Sequence, residues 1–426
     1  MKITLVQKQN LKNLFASMDS KKDFLNLLNI SKEILYKEKC IPFSEKQLNY
    51  YLIKDSKRFS TKSKAYTAFT IKKKTGGKRT IHAPVKGLKE FQKALNLVFQ
   101  SVHEPHENAT GFIQGKSIVN NASVHVGQNY VYNIDLKDFF PSIDASRVWG
   151  RLLHPPFNLK STPKRKHIAN MIKTLCCTEL EVERLLNKKW EKQKKLVLPQ
   201  GAPTSPTLTN AICDKLDRRL TGVAKRFGLN YSRYADDITF SSSHNSFKNQ
   251  MGGTESIYSN NSSFKKELLK VICEQNFHIK ESKVRLQKRG YKQEVTGIIV
   301  NDKINVSRNY IKNLRHLIYF WEKYGFEKAS ELFLKKYILD KGHLKKVKPN
   351  MAMVIEGKLL YLKMVKCEKD STYLKLNERF DNLIKKSLTT NPSQNLDDQK
   401  SHLTDLFHLN ELFKNGYENA LKGFID

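Results

Sequence analysis

Apolar positions recur at helical spacing through residues 1 to about 60, where Phe24, Leu27, Leu28, Ile34 and Leu35 stand among Lys and Glu. That spacing predicts helices with a packing face. The period then changes to two. Tyr66 to Ile71 and Thr80 to Pro84 alternate as strands, and the run Lys72-Lys73-Lys74-Thr75-Gly76-Gly77-Lys78-Arg79 between them predicts a β-hairpin with a basic tip. Leu88 to Val102 reads as a helix, and Glu104 to Gln128 as loop-rich. An apolar strand from Tyr130 delivers Asp135 at its end, followed by Phe139, Phe140 and Pro141. Residues 145 to 195 read as helical and strongly basic, and Leu198 to Pro206 is a rigid proline-rich loop before a helix from Thr207 to Arg226. Two short strands, Gly228 to Arg233 and Ile238 to Ser242, flank Tyr234-Ala235-Asp236-Asp237 as a tight hairpin. A polar loop (Ser241 to Ser263), a helix (Phe264 to Gln275) and a strand region (His278 to Leu286) follow. Tyr291 to Val306 reads as a hairpin turning at Asn301-Asp302, and residues 308 to 378 as basic helices. Ser387 to His402 reads as a polar linker, and Leu403 to Phe424 as a terminal helix or hairpin.

Charge narrows the partners. Lys and Arg number 76 against 41 acids, a formal charge of +35 over 426 residues. Such an excess repels itself unless an anionic partner neutralises it, and nucleic acid is the fitting partner. A membrane would call for a long apolar span or a Lys-rich amphipathic anchor, and neither is visible. The start of the chain does not read as a signal peptide. With 39% hydrophobic and 27% charged residues the chain is globular, long enough for two or three packed subdomains. Its six cysteines form no CxxC pair, so neither zinc nor a disulfide framework is expected, and a reduced cytoplasm fits.

The candidate chemistry sits on three stretches. Adjacent carboxylates at Asp236 and Asp237 repel each other and serve no core. Divalent cations would explain the pair, since hard cations take carboxylate and phosphate oxygens; a solvated turn is the plainer alternative. Asp135 at a strand end suits an open site, or caps the following helix. Asp138 and Asp144 suit a capping or surface role better. The basic hairpin is either a lysine-protected edge or a finger gripping phosphates. Aromatics among the lysines of residues 308 to 378, such as Tyr319, Trp321 and Tyr324, read first as core positions.

In this order, Asp135 in DLKDFF, the loop LPQGAPTSP and the hairpin YADD resemble the palm motifs of the reverse transcriptases. The resemblance covers roughly residues 60 to 370. It implies an α+β right-hand polymerase: an N-terminal helical region (1–60), fingers (61–130), a palm of antiparallel sheet plus helices with finger insertions (131–300), a helical thumb (301–380), and a polar linker with a C-terminal helical extension (381–426). Asn121-Ala122-Ser123-Val124-His125 and Val295-Thr296-Gly297 are similar to the NAxxH and VTG elements of retron enzymes. No HNH-like cluster of the kind carried by group II intron maturases is visible.

The resemblance implies residue roles. Asp135, Asp236 and Asp237 would hold two Mg²⁺ ions, with Mn²⁺ as a substitute. Lys73 and Arg79 would contact the triphosphate of an incoming dNTP. Phe140 would be a steric gate against a ribose 2′-hydroxyl, and Gln200 would support the nucleotide. Asn121, His125, Val295, Thr296 and Gly297 would recognise or position a structured noncoding RNA, although His125 also reads as a hydrogen-bonded loop histidine. Retron enzymes copy such an RNA from an internal guanosine 2′-hydroxyl into a branched RNA–DNA, msDNA, in antiviral defence. A separate effector protein and host RNase H are then implied partners. The competing expectations are another defence-associated prokaryotic reverse transcriptase making unbranched, protein-primed or repetitive DNA, and a catalytically silent nucleic-acid-binding scaffold.

Overall fold

The computed structural model describes residues 3–37, 40–53, 65–72, 77–187, 189–248, 253–341 and 348–390. The first helices are set by their caps. Helices α1 (Leu5–Ser17), α2 (Lys21–Tyr36) and α3 (Glu45–Leu52) each begin at a capping box, in which Thr4, Ser20 and Ser44 accept from the third helical N–H and Gln7, Asp23 and Gln47 reach back. Helix α4 (Lys86–Val102) packs on α1 and α2 through an apolar stripe that includes Leu88, Phe91, Leu95 and Phe99. Strands β1 (Tyr66–Lys72) and β2 (Lys78–Pro84) pair antiparallel, Tyr66 opposite Pro84. Lys73 lies outside the described residues.

Helix α5 (Ile118–Ser123) is a short capped helix inside the stretch expected to be loop. After β3 (Tyr130–Asp135) come α6 (Ala145–Leu153) and α7 (Pro163–Cys176). The expected basic helix through residue 195 ends there. Strands β4 (Thr178–Leu186) and β5 (Lys189–Val197) form an antiparallel hairpin instead. The reason is alternation: Glu179, Glu181 and Glu183 interleave with Leu180 and Val182, a period of two that the lysines beyond obscured. Helix α8 (Ser205–Phe227) ends at Gly228, left-handed at φ 66°. Strands β6 (Asn230–Tyr234) and β7 (Asp237–Ser242) form the expected hairpin. Within the expected polar loop, β8 (Ser246–Lys248) pairs with β9 (Thr254–Ser256), and α9 (Ser263–Glu274) follows. The strand expected from His278 resolves into a bridge from Ile279 to Leu136, a 3-10 turn (Glu281–Lys283) and β10 (Arg285–Lys288). The central sheet has the order β10-β3-β7-β6, with β3 and β7 in the middle and almost wholly buried.

Strands β11 (Glu294–Val295) and β12 (Ile298–Ile299) turn at Thr296-Gly297, not at Asn301-Asp302. Thr296 at φ 47° and Gly297 at φ 85° are both left-handed, as a type I′ turn requires. Helix α10 (Arg308–Lys341), broken at Gly325, then packs with α11 (Met351–Lys366) and α12 (Ser371–Thr390). Because α12 runs to Thr390, the polar linker does not begin at Ser387; residues 391–426 lie outside the described residues.

Contacts group the chain into two units that interleave in sequence. One comprises residues 1–113, 133–240 and 245–285; the other comprises 114–132, 241–244 and the described residues from 286 onward. The second has its own core, in which Val295 and Ile298 join Leu314, Trp321, Ile355 and Phe380. Among the described residues no helix is long and apolar enough to cross a membrane.

Candidate active site

The turn between β6 and β7 is clamped from beneath. Arg233 is fully buried, and its guanidinium donates twice to Asp217 on α8, at 2.7 Å each. It also donates to the Ala235 carbonyl at 3.0 Å and to Asn210 at 3.2 Å. Tyr231 adds a hydroxyl donation to Asp217 at 2.7 Å. A buried guanidinium is tolerable only with this bidentate, fully bonded arrangement. The same arginine fixes Ala235, whose φ of 56° bends the chain between the strands. Thr110 and Gly111 press from the side: the Thr110 N–H donates to the Arg233 carbonyl at 2.9 Å, and a Cβ on Gly111 would lie 2.7 Å from the Ala235 nitrogen. Sequence reasoning passed over Arg233 and Asp217. The available signal was a carboxylate on the apolar stripe of α8, between Leu216 and Leu220 and Cys213.

The three acids meet at one end of the central sheet. The Leu136 N–H donates to the Asp236 carbonyl at 3.0 Å, which sets the end of β3 beside the turn. Asp135 is 8% exposed, and its carboxylate accepts from the Lys283 ammonium. Burial and the Asp135 charge raise the pKa of Asp236, against Lys283 and Arg79. Burial, then Asp236, then Asp135 push Asp237 up to about 6. The donor set is all carboxylate oxygen, which suits a hard cation, and added positive charge would relieve the repulsion. Among the described residues, however, no three acidic, His or Cys side chains are already gathered around one point. Lys283 stands in as the counter-charge to Asp135, so a cation taken up here would exchange with that ammonium. Lys283 too was missed in the sequence.

Asp138 is exposed at φ 45°, and Asp144 starts α6 without capping it, bonding Arg184 at 2.7 Å. Phe139 is buried against Phe277, with ring centroids 5.6 Å apart. Phe140 is half-buried, 6.0 Å from the ring of Phe112, which itself lies 6.3 Å from Tyr234. Arg79 is exposed on β2, on the side felt by Asp236. The Gln200 loop docks on the same strand, for the His82 N–H donates to the Gln200 carbonyl at 2.8 Å. Gly201, at φ 123°, permits that approach; a Cβ there would lie 2.8 Å from Ile81 and 2.9 Å from the His82 oxygen. The structure thus brings together Asp135, Asp236, Asp237, Arg79, Phe140 and the Gln200 loop within one unit.

In the second unit the other five residues form a brace. Asn121, His125 and Val295 are buried. Asn121 donates to the Thr296 hydroxyl at 3.5 Å, and His125 Nδ1 lies 2.7 Å from the Ser241 hydroxyl. Burial lowers the His125 pKa to about 3, so the ring is neutral. The loop-histidine alternative describes its setting. Thr296 and Gly297 alone of the five have surface to present.

Residues 71–300 match the family of reverse transcriptases (RNA-dependent DNA polymerases). The chain is 35% identical over 254 residues to the retron Mx65 reverse transcriptase of Myxococcus xanthus, covering 60% of this chain and 55% of that one. It is 32% identical over 259 residues to the retron Ec86 reverse transcriptase of Escherichia coli, covering 60% and 69%. The chain belongs to the retron-type reverse transcriptases. It spans little more than half the length of the Mx65 relative, and 52% of the Mx162 relative from the same bacterium, to which it is 36% identical. The expected α+β right-hand polymerase fold is that of this reverse transcriptase, with its mixed helices and antiparallel strands. All the site residues named from sequence fall within the stretch matched to the reverse transcriptase family, whereas α1 to α3 and α10 to α12 lie outside it.

Proposed function

We propose that this chain is the RNA-directed DNA polymerase of a retron, acting in the cytoplasm. It would copy a structured noncoding RNA from the 2′-hydroxyl of an internal guanosine, leaving a branched RNA–DNA. The observation that carries the reading is the meeting of Asp135 with Asp236 and Asp237 at the end of β3, faced by Arg79, in a retron-type chain. Two Mg²⁺ ions held by the three carboxylates, or Mn²⁺ in their place, would supply Lewis-acid stabilisation of the attacking and leaving oxygens. The protein's own part is positional. Arg79, with Lys73, orients the triphosphate of a dNTP. Phe140 closes on the sugar from the side of Phe112 and excludes a 2′-hydroxyl. The Gln200 loop, fixed to β2, supports the nucleotide. The thumb helices hold an RNA stem through shape and phosphates, because the deep groove of A-form RNA is closed to side chains. A separate effector protein would complete an antiviral system, and host RNase H would trim the template.

The test is to sequence the nucleic acid that copurifies with the native protein, before and after debranching enzyme, beside an Asp236→Ala/Asp237→Ala protein. A short DNA joined 2′–5′ to a structured RNA, absent from the variant, is the expected result. Linear or repetitive DNA without a branch would instead place the protein among the other defence-associated reverse transcriptases. DNA from neither sample would favour the silent scaffold.

A further inference from the structure

Most of the lining of one large cavity lies before residue 71, outside the stretch matched to the family. It opens between α2, the segment Cys40 to Ser44, α3 and the first turns of α4, with a volume of about 690 Å³. Its floor is aromatic and fixed. Phe43 stacks on Phe91 with centroids 3.8 Å apart, and Tyr51 meets Phe91 edge-on at 5.7 Å. Gly87 makes room for this packing, since the space of a Cβ there is filled by the Tyr51 hydroxyl. Lys32 in the floor is fully engaged: it donates to the Ile41 carbonyl at 2.8 Å, pairs with Glu90 at 3.0 Å and lies 4.1 Å above the Phe43 ring. Tyr36 and Tyr50 stand at the mouth, 38% and 39% exposed. Lys46 is exposed beside them, and the Lys93 ammonium lies 5.9 Å from the Tyr36 ring.

We propose that this cavity receives a single unstacked nucleobase of the RNA, a site separate from the acidic centre. The inference rests on the RNA-dependent reading above. Its volume is in the range of about 300–1,000 Å³ that encloses a mononucleotide-sized ligand. Exposed tyrosine rings offer stacking faces, and lysines next to them suit the flanking phosphates; this pairing is how single strands are held. Among the described residues of the lining, Glu90 is the only carboxylate and is already paired with Lys32, which leaves Lys46 as the uncompensated charge of those residues. A base flipped from a folded RNA would thereby anchor the transcript on the N-terminal helices.

Cys40 lines the cavity and provides the probe. In full-length protein carrying Cys273→Ser and Cys367→Ser, which removes the exposed thiols, N-ethylmaleimide reaches Cys40 while Cys176, Cys177 and Cys213 stay buried. A fluorescein-labelled single-stranded RNA dodecamer at saturation is expected to slow Cys40 alkylation at least about fivefold, and protein alkylated beforehand to bind that RNA about tenfold more weakly. Tyr36→Ala and Tyr50→Ala should each weaken binding by a similar factor, whereas Tyr50→Phe keeps it. DNA synthesis on a preformed primer–template should be unchanged in these variants. Unaltered alkylation with RNA bound, or tyrosine variants that bind like the parent, would overturn the proposal. Protection of Cys40 by a copurifying protein but not by RNA would also overturn it, in favour of a protein side chain as occupant. The polymerase reading fails separately: a parent protein that makes no DNA yet still shows RNA protection of Cys40 would lose that function and keep this site.

Discussion

Phe140 and Phe139 are neighbours in sequence with different surroundings. Phe139 is sealed against Phe277, so its replacement by Ala opens a cavity and costs stability, about 3–5 kcal/mol. Phe140 keeps a free face beside Phe112. Phe140→Ala is expected to raise rNTP incorporation relative to dNTP by roughly tenfold to a hundredfold, read from single-nucleotide extension; unchanged discrimination would remove the gate assignment. Arg233 makes the opposite kind of prediction. Asp217→Asn leaves the guanidinium buried with its partner's charge gone, and urea unfolding should register a loss of about 3–5 kcal/mol. His125 adds a pH dependence. Its folded pKa, about 3, lies below the unfolded value near 6.5. The folded state therefore binds the proton less well, and stability present above pH 6.5 is lost as pH falls toward 3. Between pH 7.5 and pH 5 the loss amounts to about 2 kcal/mol. It is expected in thermal unfolding of the parent and should be absent from the pH dependence of a His125→Gln variant.

Among the elements, two left-handed glycines separate strain from contact. Gly297 in the β11–β12 turn has φ 85° with open space where a Cβ would go. Gly297→Ala should cost only the backbone penalty, about 1–2 kcal/mol in unfolding, with polymerase activity intact. Gly201 meets the backbone of β2 at that place. Gly201→Ala must move either the Gln200 loop or the β1–β2 hairpin, and is expected to raise the dNTP KM about tenfold or more, measured by steady-state extension. The hairpins also mark what periodicity could and could not show. The β6–β7 pair was legible because apolar runs on both sides of Tyr234 to Asp237 leave only a tight turn between them. The β4–β5 hairpin was not, because Lys189, Lys192, Lys194 and Lys195 are equally at home on an exposed helix. Turn propensity alone points to Asn301-Asp302 and not to Thr296; the left-handed Thr296 is held by its bond to the Ile118 carbonyl at 3.5 Å and by Val295 in the core.

For the whole molecule the governing quantity is charge. With +35 to neutralise, binding to RNA should release many counterions. Affinity is expected to fall roughly a thousandfold between 50 and 200 mM salt in filter binding, with the same slope in the Asp236→Ala/Asp237→Ala protein, because two acids hardly alter the long-range field. A shallow slope would mean that few of the lysines face RNA. The sequence by itself determined the chemistry of the centre. Asp135, the Gln200 loop and Asp236-Asp237 are local patterns on strands and turns, and their order along the chain defines a family. It also set the charge of +35 on which the proposal of an RNA partner rests. Tertiary structure alone decided what supports that chemistry. The Arg233–Asp217 clamp, the Lys283 counter-charge on Asp135 and the burial of Asn121 and His125 each join residues far apart in sequence. A buried polar side chain is tolerated only where the fold supplies its partner, and no periodicity along the chain records that partner.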